Sequence, residues 1–389
     1  MSTLKVNAIR GTGASSDAIS VNSTDGTCTA NITNPRSFRN LIINGSCIVA
    51  QRSQSDTSNN YYTTVDRWNY TSSQLEENVT RSQESLSSSD TGPWAKGFRN
   101  AWKIQNGNQT GGADANGYII PQYSIEAQDL ATSGWDYTSA SSYLTLSFWV
   151  KSSVAQTFYG FLRTMDGTSQ AWSFNYALSA NTWTKVTKKI PGNSNIQIDN
   201  NNGSGLTIYL PLFLGTDRTN SGNVEETWAA YSSSNRTKDF TTTWYTTNDA
   251  TWHLTGVQLE VGDIATDFEH RSYGDELARC QRYFFMQADD ENSPIGLGAL
   301  NTATAIYCHH FFPVTMRANP SIYQVSGADY FRFFNNGGGA NVDGDWSIWN
   351  GRKTNAQISA TLDGSLTSGG AVFGVNNNAT ARLGFSAEL

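Results

Sequence analysis

Four histidines, His253, His270, His309 and His310, are the side chains best suited by type to proton transfer or metal ligation near neutral pH. Their spacing assembles no site. No HExxH or HxH pattern occurs, and His309 and His310, adjacent in a strand-like stretch, must point to opposite faces. Paired carboxylates could serve glycoside hydrolysis, and Glu225-Glu226 and Asp289-Asp290-Glu291 are examples. In polar loops, however, such neighbours are ordinarily solvated. There is no GxSxG elbow and no GxxxxGK(S/T) loop. Cys28, Cys47, Cys280 and Cys308 lie far apart with no CxxC pair, which argues against a zinc site. Folding in a cytosol favours free thiols. Neither a catalytic residue nor a metal ligand is expected.

Binding is better supported. The chain carries 12 Trp, 17 Tyr and 18 Phe, and Trp and Tyr offer large, stiff, amphipathic faces at small entropic cost. Sugars present C–H faces and hydroxyls, so aromatic platforms beside Asn, Asp and Gln suit them. Trp94, Trp135, Tyr137, Trp172 and Trp228 sit in or beside polar, loop-like stretches and are the candidate glycan contacts. The competing fate of each is core packing, because a pocket uses few residues.

Those side chains need a scaffold, and the composition indicates which kind. Charged residues make up 15%, against a typical ~25%, and Ser, Thr, Asn and Gly take their place. A disordered chain would be poor in aromatics. This one combines an uncharged polar surface with aromatic-rich cores, short strands and Gly/Asn turns. The net charge of −7 and the lack of a Lys/Arg cluster exclude a nucleic-acid footprint. No apolar run is long enough to span a membrane, and Met1–Ser16 lacks the apolar core of a secretory signal. Folding in the cytoplasm is therefore expected.

Residues 1–38 are polar and nearly free of aromatics, with a brief apolar alternation at Leu4, Val6 and Ile9. A segment this short cannot bury enough surface to fold alone, so it should be ordered by a partner or by copies of itself. From Arg39 the texture changes. Strand candidates are Asn40–Gly45, Asp66–Tyr70, Ala101–Gln105, Gly117–Ile120, Leu144–Lys151, Thr157–Arg163, Ala171–Ala177, Thr182–Ile190, Leu206–Gly215 and Trp252–Val261. Leu144, Leu146, Phe148 and Val150 fall on every second position, the half-buried strand period. So many short strands between residues 39 and 263 predict a jelly-roll β-sandwich. Residues 264–286 form a linker and one short helix, capped by Ser272 and with Asp275 and Glu276 in its first turn. Tyr273, Leu277, Cys280 and Phe284 have the 4, 3, 4 spacing of a coiled-coil seam, which is also the spacing of a helix packed on its own domain. Residues 287–389 form a smaller β domain, with strands at Ala303–Phe312, Phe331–Phe334 and Trp346–Trp349 and glycine-rich loops at 335–339 and 368–370. The fold class is mainly β.

Three stretches resemble known proteins. The opening MSTLKVNAIR resembles the start of tail-fibre and tail-associated structural proteins of marine, cyanophage-like bacteriophages. The run TGVQLEVGD at 255–263, continued by DFEHRSYGDELARCQRYF at 267–284, is similar to a segment recurring in such proteins, and FPVTMRANP at 312–320 resembles the stretch C-terminal to that segment in them. The middle domain resembles carbohydrate-binding-module jelly rolls, Asn40–Gly45 standing as their first strand and His253–Glu260 as their last. The resemblance implies a location in the virion tail, homotrimeric assembly, and attachment through the N-terminus to other tail or capsid proteins. It also implies a non-enzymatic role in recognising host-surface glycan. Such modules often hold a structural calcium through an acidic residue of the last strand. Here Thr255-Gly256 stand near that place, which counts against calcium, while Glu260 remains available to hold one; no other cofactor is expected. A capsid-surface fibre or decoration protein, a tail adaptor and a polysaccharide depolymerase are the alternative readings.

Overall fold

The structure is a computed structural model. It describes all of residues 39–389 except 59, 60, 110 and 337, and of the first 38 only 6, 8–10, 12, 19–21, 24, 26 and 28–30. Leu4 lies outside the described residues. Ile9 belongs to a small antiparallel sheet of Ala8–Ile9, Ile19–Val21 and Cys28–Ala30, and both Val6 and Ile9 are exposed.

The protein is mainly β, a jelly-roll sandwich followed by a smaller barrel. One sheet of the sandwich runs in the order Phe213–Leu214, Tyr118–Glu126, Ser204–Tyr209, Gln156–Thr164, Gln170–Leu178, Trp228–Ala230, with Asn69–Ser73 also paired to Tyr118–Glu126. The other, hereafter the second sheet, runs Thr184–Pro191, Tyr143–Ser152, Thr251–Val261, Asn100–Gln105, Thr80–Ser85, Ser55–Asp56. The alternation predicted for Leu144–Lys151 sets its register. Leu144, Leu146, Phe148 and Val150 all face the core, opposite Ile190 and Val186 on one side and Leu259 and Leu254 on the other. Each such side chain taken from water contributes about 1.5–3 kcal/mol.

Asn40–Gly45 is not a strand. It forms turns, with Asn44 at φ 59°, and it is fixed by polar bonds instead: Leu41 N–H donates to Leu259 O at 2.9 Å, and Asn44 Nδ2 donates to Val49 O and Asp66 O at 2.8 and 2.9 Å. Leu206–Gly215 divides into Ser204–Tyr209 and Phe213–Leu214, both paired to Tyr118–Glu126, with Leu210 N–H and Leu212 N–H still donating to Pro121 O and Ile119 O across the irregular stretch between them.

The predicted helix spans Tyr273–Gln281, with Ser272 Oγ accepting from Asp275 N–H at 3.2 Å. Among the described residues the other α-helices are single turns at Ala127–Ala131 and Thr243–Thr246. The proposed seam does not run down one helix. Phe284 opens the strand Phe284–Ala288, which pairs with Arg382–Ser386, and Tyr273 is exposed. The face turned into this chain carries Glu276 and Cys280, with Leu277 half-buried beside it. The Glu276 carboxylate accepts from Asn44 N–H and faces Arg271 at 3.5 Å, so the helix is packed on its own sandwich.

The C-terminal region contains a three-stranded sheet of Phe284–Ala288, Arg382–Ser386 and Ser321–Val325. It also contains a closed six-stranded barrel in the order Pro294–Leu300, Ala305–Phe311, Asn355–Leu362, Gly338–Gly351, Phe331–Asn335, Ala371–Asn376. Charge-assisted bonds join it to the sandwich. Glu126, fully buried, takes a two-pronged contact from Arg282 at 2.8 Å on each oxygen and the Tyr283 hydroxyl at 2.5 Å. Burial alone would raise the Glu126 pKa, but the bonds from Arg282 and Tyr283 outweigh it and hold the carboxyl below its usual range. Glu388 bridges Arg67 at 2.5 Å and Arg52 at 3.2 Å, and those guanidiniums lie 3.4 Å over Tyr283 and 3.5 Å over Phe284. Among the described residues, no helix is long and apolar enough to cross a membrane. Cys47, Cys280 and Cys308 are buried free thiols; the Cys28 side chain lies outside the described residues.

Candidate functional site: an aromatic groove on the sandwich

The outward positions of the second sheet alternate with its core positions. On Tyr143–Ser152 these are Thr145, Ser147, Trp149 and Lys151, and on Thr184–Pro191 they include Lys185. Two loops rise over that face, 86–98 and 262–270. Between them lies a groove of about 280 Å³, with Trp149 and Phe98 among its lining and Lys96, Lys185 and Asp267 at its rim. Phe98, Phe268 and His270 form one wall, with ring centroids 4.9–5.0 Å apart. His270 Nε2 donates to Lys96 O at 2.8 Å, which ties the two loops together. Lys96 and Asp267 face each other at 3.7 Å, both largely in solvent.

Two glycines shape the groove. Gly256, at φ +63°, sits where the Thr251–Val261 strand bulges, and a Cβ there would meet the Phe98 ring at 2.6 Å. Gly92, at φ +100°, closes over Trp149 so tightly that a Cβ would lie 2.7 Å from the indole. That contact fixes Trp149, which lines the groove. Trp183 is pinned beside it. Its Nε1 donates to Asp90 Oδ1 at 2.9 Å, the same oxygen takes Lys151 Nζ at 2.9 Å, and Lys151 Nζ lies 5.0 Å from the Trp183 ring. Burial opposes ionisation of Asp90, yet the bonds from Trp183, Ser87 N–H and Lys151 hold its pKa down to about 2. The anchoring carboxylate is therefore charged at any working pH.

Of the aromatics singled out in the sequence, none lines this groove and one packs beside it. Trp94, half-buried, packs in the same cluster as Trp149, Trp183 and Phe268, with the Arg99 guanidinium 3.7 Å over its ring. Trp135 and Trp172 are buried in the sandwich core, Trp228 is nearly so with its Nε1 bonded to Pro191 O at 2.6 Å, and Tyr137 packs partly buried against Trp135. Core packing accounts for those four: their faces are occupied by apolar neighbours. Trp149 and Trp183 were missed. Trp149 falls on the outward phase of the very alternation that identified its strand, which was the available signal.

The carboxylate pairs are structural. Glu225 bonds Asn175 Nδ2 at 2.9 Å and Lys238 at 3.2 Å, and Glu226 pairs with Lys188 at 2.8 Å. Asp289, Asp290 and Glu291 lie exposed in a turn. His309 is exposed and His310 buried, as opposite faces require. His253 contacts Glu84 at 3.3 Å. The Glu260 carboxylate accepts from Thr266 N–H and Oγ1 and pairs with Arg39 at 3.2 Å. With a guanidinium already neutralising it, that donor set does not fit calcium, which takes 6–8 oxygen ligands. Among the described residues, no group of three or more His, Cys, Asp or Glu could hold a metal ion.

No protein-family model and no curated protein matches the chain. Solved structures do. A Bacteroides thetaiotaomicron protein provisionally described as sugar-binding aligns over 58% of this chain and 100% of its own, at 10% identity and a TM-score of 0.31. A tandem of family 22 carbohydrate-binding modules from Paenibacillus barcinonensis aligns over 82% of this chain and 93% of its own, at 8% identity and a TM-score of 0.26. A family 16 carbohydrate-binding module aligns over 42% and 77%, at 11% identity and a TM-score of 0.22. Carbohydrate-binding modules are thus among the solved structures this chain is similar to, and scores of this size leave the functional argument to the groove itself.

Proposed function

We propose that this chain is a non-catalytic glycan-binding protein that holds sugar in the groove beside Trp149. The observation that carries the reading is an indole held on a sheet, flanked by Phe98, Phe268, two lysines and one aspartate. Such a surface stacks the C–H face of a pyranose and bonds its hydroxyls, and it is set before the ligand arrives, which spares ordering entropy. Asp267 is the one carboxylate lining the groove. Hydrolysis by either common route needs two, about 5–9.5 Å apart, so binding is favoured over depolymerisation.

The biological setting we propose is a bacteriophage tail fibre, acting as a homotrimer in host adsorption. That part rests on the sequence resemblance at residues 1–10, 255–284 and 312–320. Several copies of one weak site would gain avidity of ~10²–10⁴ without new contacts. The test is incubation of the purified protein with host-surface polysaccharide, then co-sedimentation and sizing of the polymer. Retention with unchanged polymer length is expected. Shortened chains would transfer the reading to a depolymerase, and no retention would remove the glycan reading.

A further inference from the structure

The barrel exterior carries an apolar band that none of the described elements of this chain covers. Antiparallel register places Phe334 opposite Phe373, and Phe373 opposite Leu297. The neighbouring strand continues the row, since Gly298 pairs with Cys308 and so sets Leu297 beside His309. Phe334 and Phe373 are stacked at 5.2 Å, and His309 packs on Phe311 at 4.6 Å. Farther along the same surface Trp349 lies 5.1 Å from Tyr307. Leu297, Phe311, Trp349 and Phe373 are 75, 74, 62 and 52% exposed. The six barrel strands contain three residues of the Asp, Glu, Lys and Arg types: Arg332 and, on the strand that carries Trp349, Asp343 and Asp345.

We propose that this band is the surface on which a second copy of this chain docks. At ~150–250 Å² per aromatic side chain, the three exposed rings leave on the order of 400 Å² in water, and Leu297 and Phe334 bring the band to about 500 Å². A standard interface buries ~800 Å² per partner, of which ~56–65% is apolar. The band therefore supplies the apolar share of one complete partner face. Interface centres are depleted in charge and enriched in aromatic residues, as here. A largely apolar face can also meet the same face of other copies around a symmetry axis, in a trimer as in a dimer. The barrel is closed, so strand addition at a sheet edge is not open to it and contact must be made face to face. This surface is independent of the glycan groove, and it moves self-association from the 273–281 helix to the barrel.

The experiment is light scattering on the full chain at about 50 μM, alongside Phe373→Asp, Leu297→Ser and Leu277→Asp, with circular dichroism and thermal melts of each. The expected result is a mass at least twice the 42.5 kDa chain for the parent and for Leu277→Asp, and 42.5 kDa for both barrel variants. A monomeric parent overturns the proposal. So does unchanged mass in a folded barrel variant, or dissociation caused by Leu277→Asp alone. Leu297→Ser, a milder change at the most exposed position, keeps the test decisive should Phe373→Asp fail to fold.

Discussion

Replacing Glu388 by alanine should uncouple the two halves of the protein. The Glu388 carboxylate lies between Arg67 and Arg52, whose side chains are 1% and 2% exposed, and bonds them at 2.5 and 3.2 Å. Arg67 keeps a bond to Ser124 O at 2.8 Å and its contact with Tyr283, while Arg52 keeps its stacking on Phe284. Neither keeps a bonded carboxylate among the described residues once Glu388 is removed, and only the more remote charges of Asp66 near Arg52 and Glu126 near Arg67 remain. Deleting one partner of a buried ion pair costs about 3–5 kcal/mol, chiefly because the remaining charge is stranded away from water. Glu388→Gln preserves the volume and one acceptor, and it should cost less, about 1.5–3 kcal/mol, the worth of a charged hydrogen bond. Arg67 belongs to the sandwich, while Glu388 lies just beyond the strand that pairs with Phe284–Ala288, so the loss falls on the junction. Urea denaturation monitored by tryptophan fluorescence and by far-UV circular dichroism reads this directly. The parent should unfold in one coincident transition, and Glu388→Ala in two, the barrel melting first. A parent that already unfolds in two steps, or an alanine variant within 1 kcal/mol of it, would refute the reasoning.

Three other outcomes rest on single residues. Burial, with a smaller contribution from His309, pushes the His310 pKa down to about 4, below the ~6.5 of an unfolded chain. The unfolded state alone takes up that proton between those values, so His310 contributes full stability above pH 6.5, and about 3 kcal/mol is lost as the pH falls to 4; His310→Phe should flatten the dependence in paired melts, and parallel curves would contradict it. Gly256→Ala forces a Cβ to 2.6 Å from Phe98 at a positive φ, so a loss of about 1–3 kcal/mol is expected, measurable by denaturant midpoint and contradicted by an unchanged one. Trp172→Ala should cost about 3–5 kcal/mol through loss of core packing, and any folded fraction should still bind glycan; selective loss of binding with unchanged stability would return Trp172 to the ligand surface.

The sandwich was legible because its strands combine a period-two pattern with burial on one face. Tyr143–Ser152, Gln156–Thr164, Gln170–Leu178 and Thr251–Val261 appear close to their predicted bounds. Thr80–Ser85 was not legible, because the strand TRSQES has no apolar residue and is held by pairing to Asn100–Gln105. Pro294–Leu300 and Ala371–Asn376 were missed because their glycines lower strand propensity, while closure of the barrel supplies the pairing. Phe284 looked like a helical position because 4, 3, 4 spacing is local, whereas its strand partner is about a hundred residues away. The groove was half legible. Aromatic abundance pointed to a platform, but proximity to polar loops selected Trp135, Trp172 and Trp228, which loops bury as readily as they expose. The better guide was strand phase, which puts Trp149 outside.

The most direct test of the glycan groove is a titration of parent and Trp149→Ala with the best-bound oligosaccharide from a glycan array, the two proteins first matched for thermal stability. Loss of the stacking face should weaken binding at least tenfold, about 1.4 kcal/mol, with Trp183→Ala changing in the same direction. Equal affinity in parent and Trp149→Ala, or no glycan bound by the parent at millimolar concentration, would contradict the account.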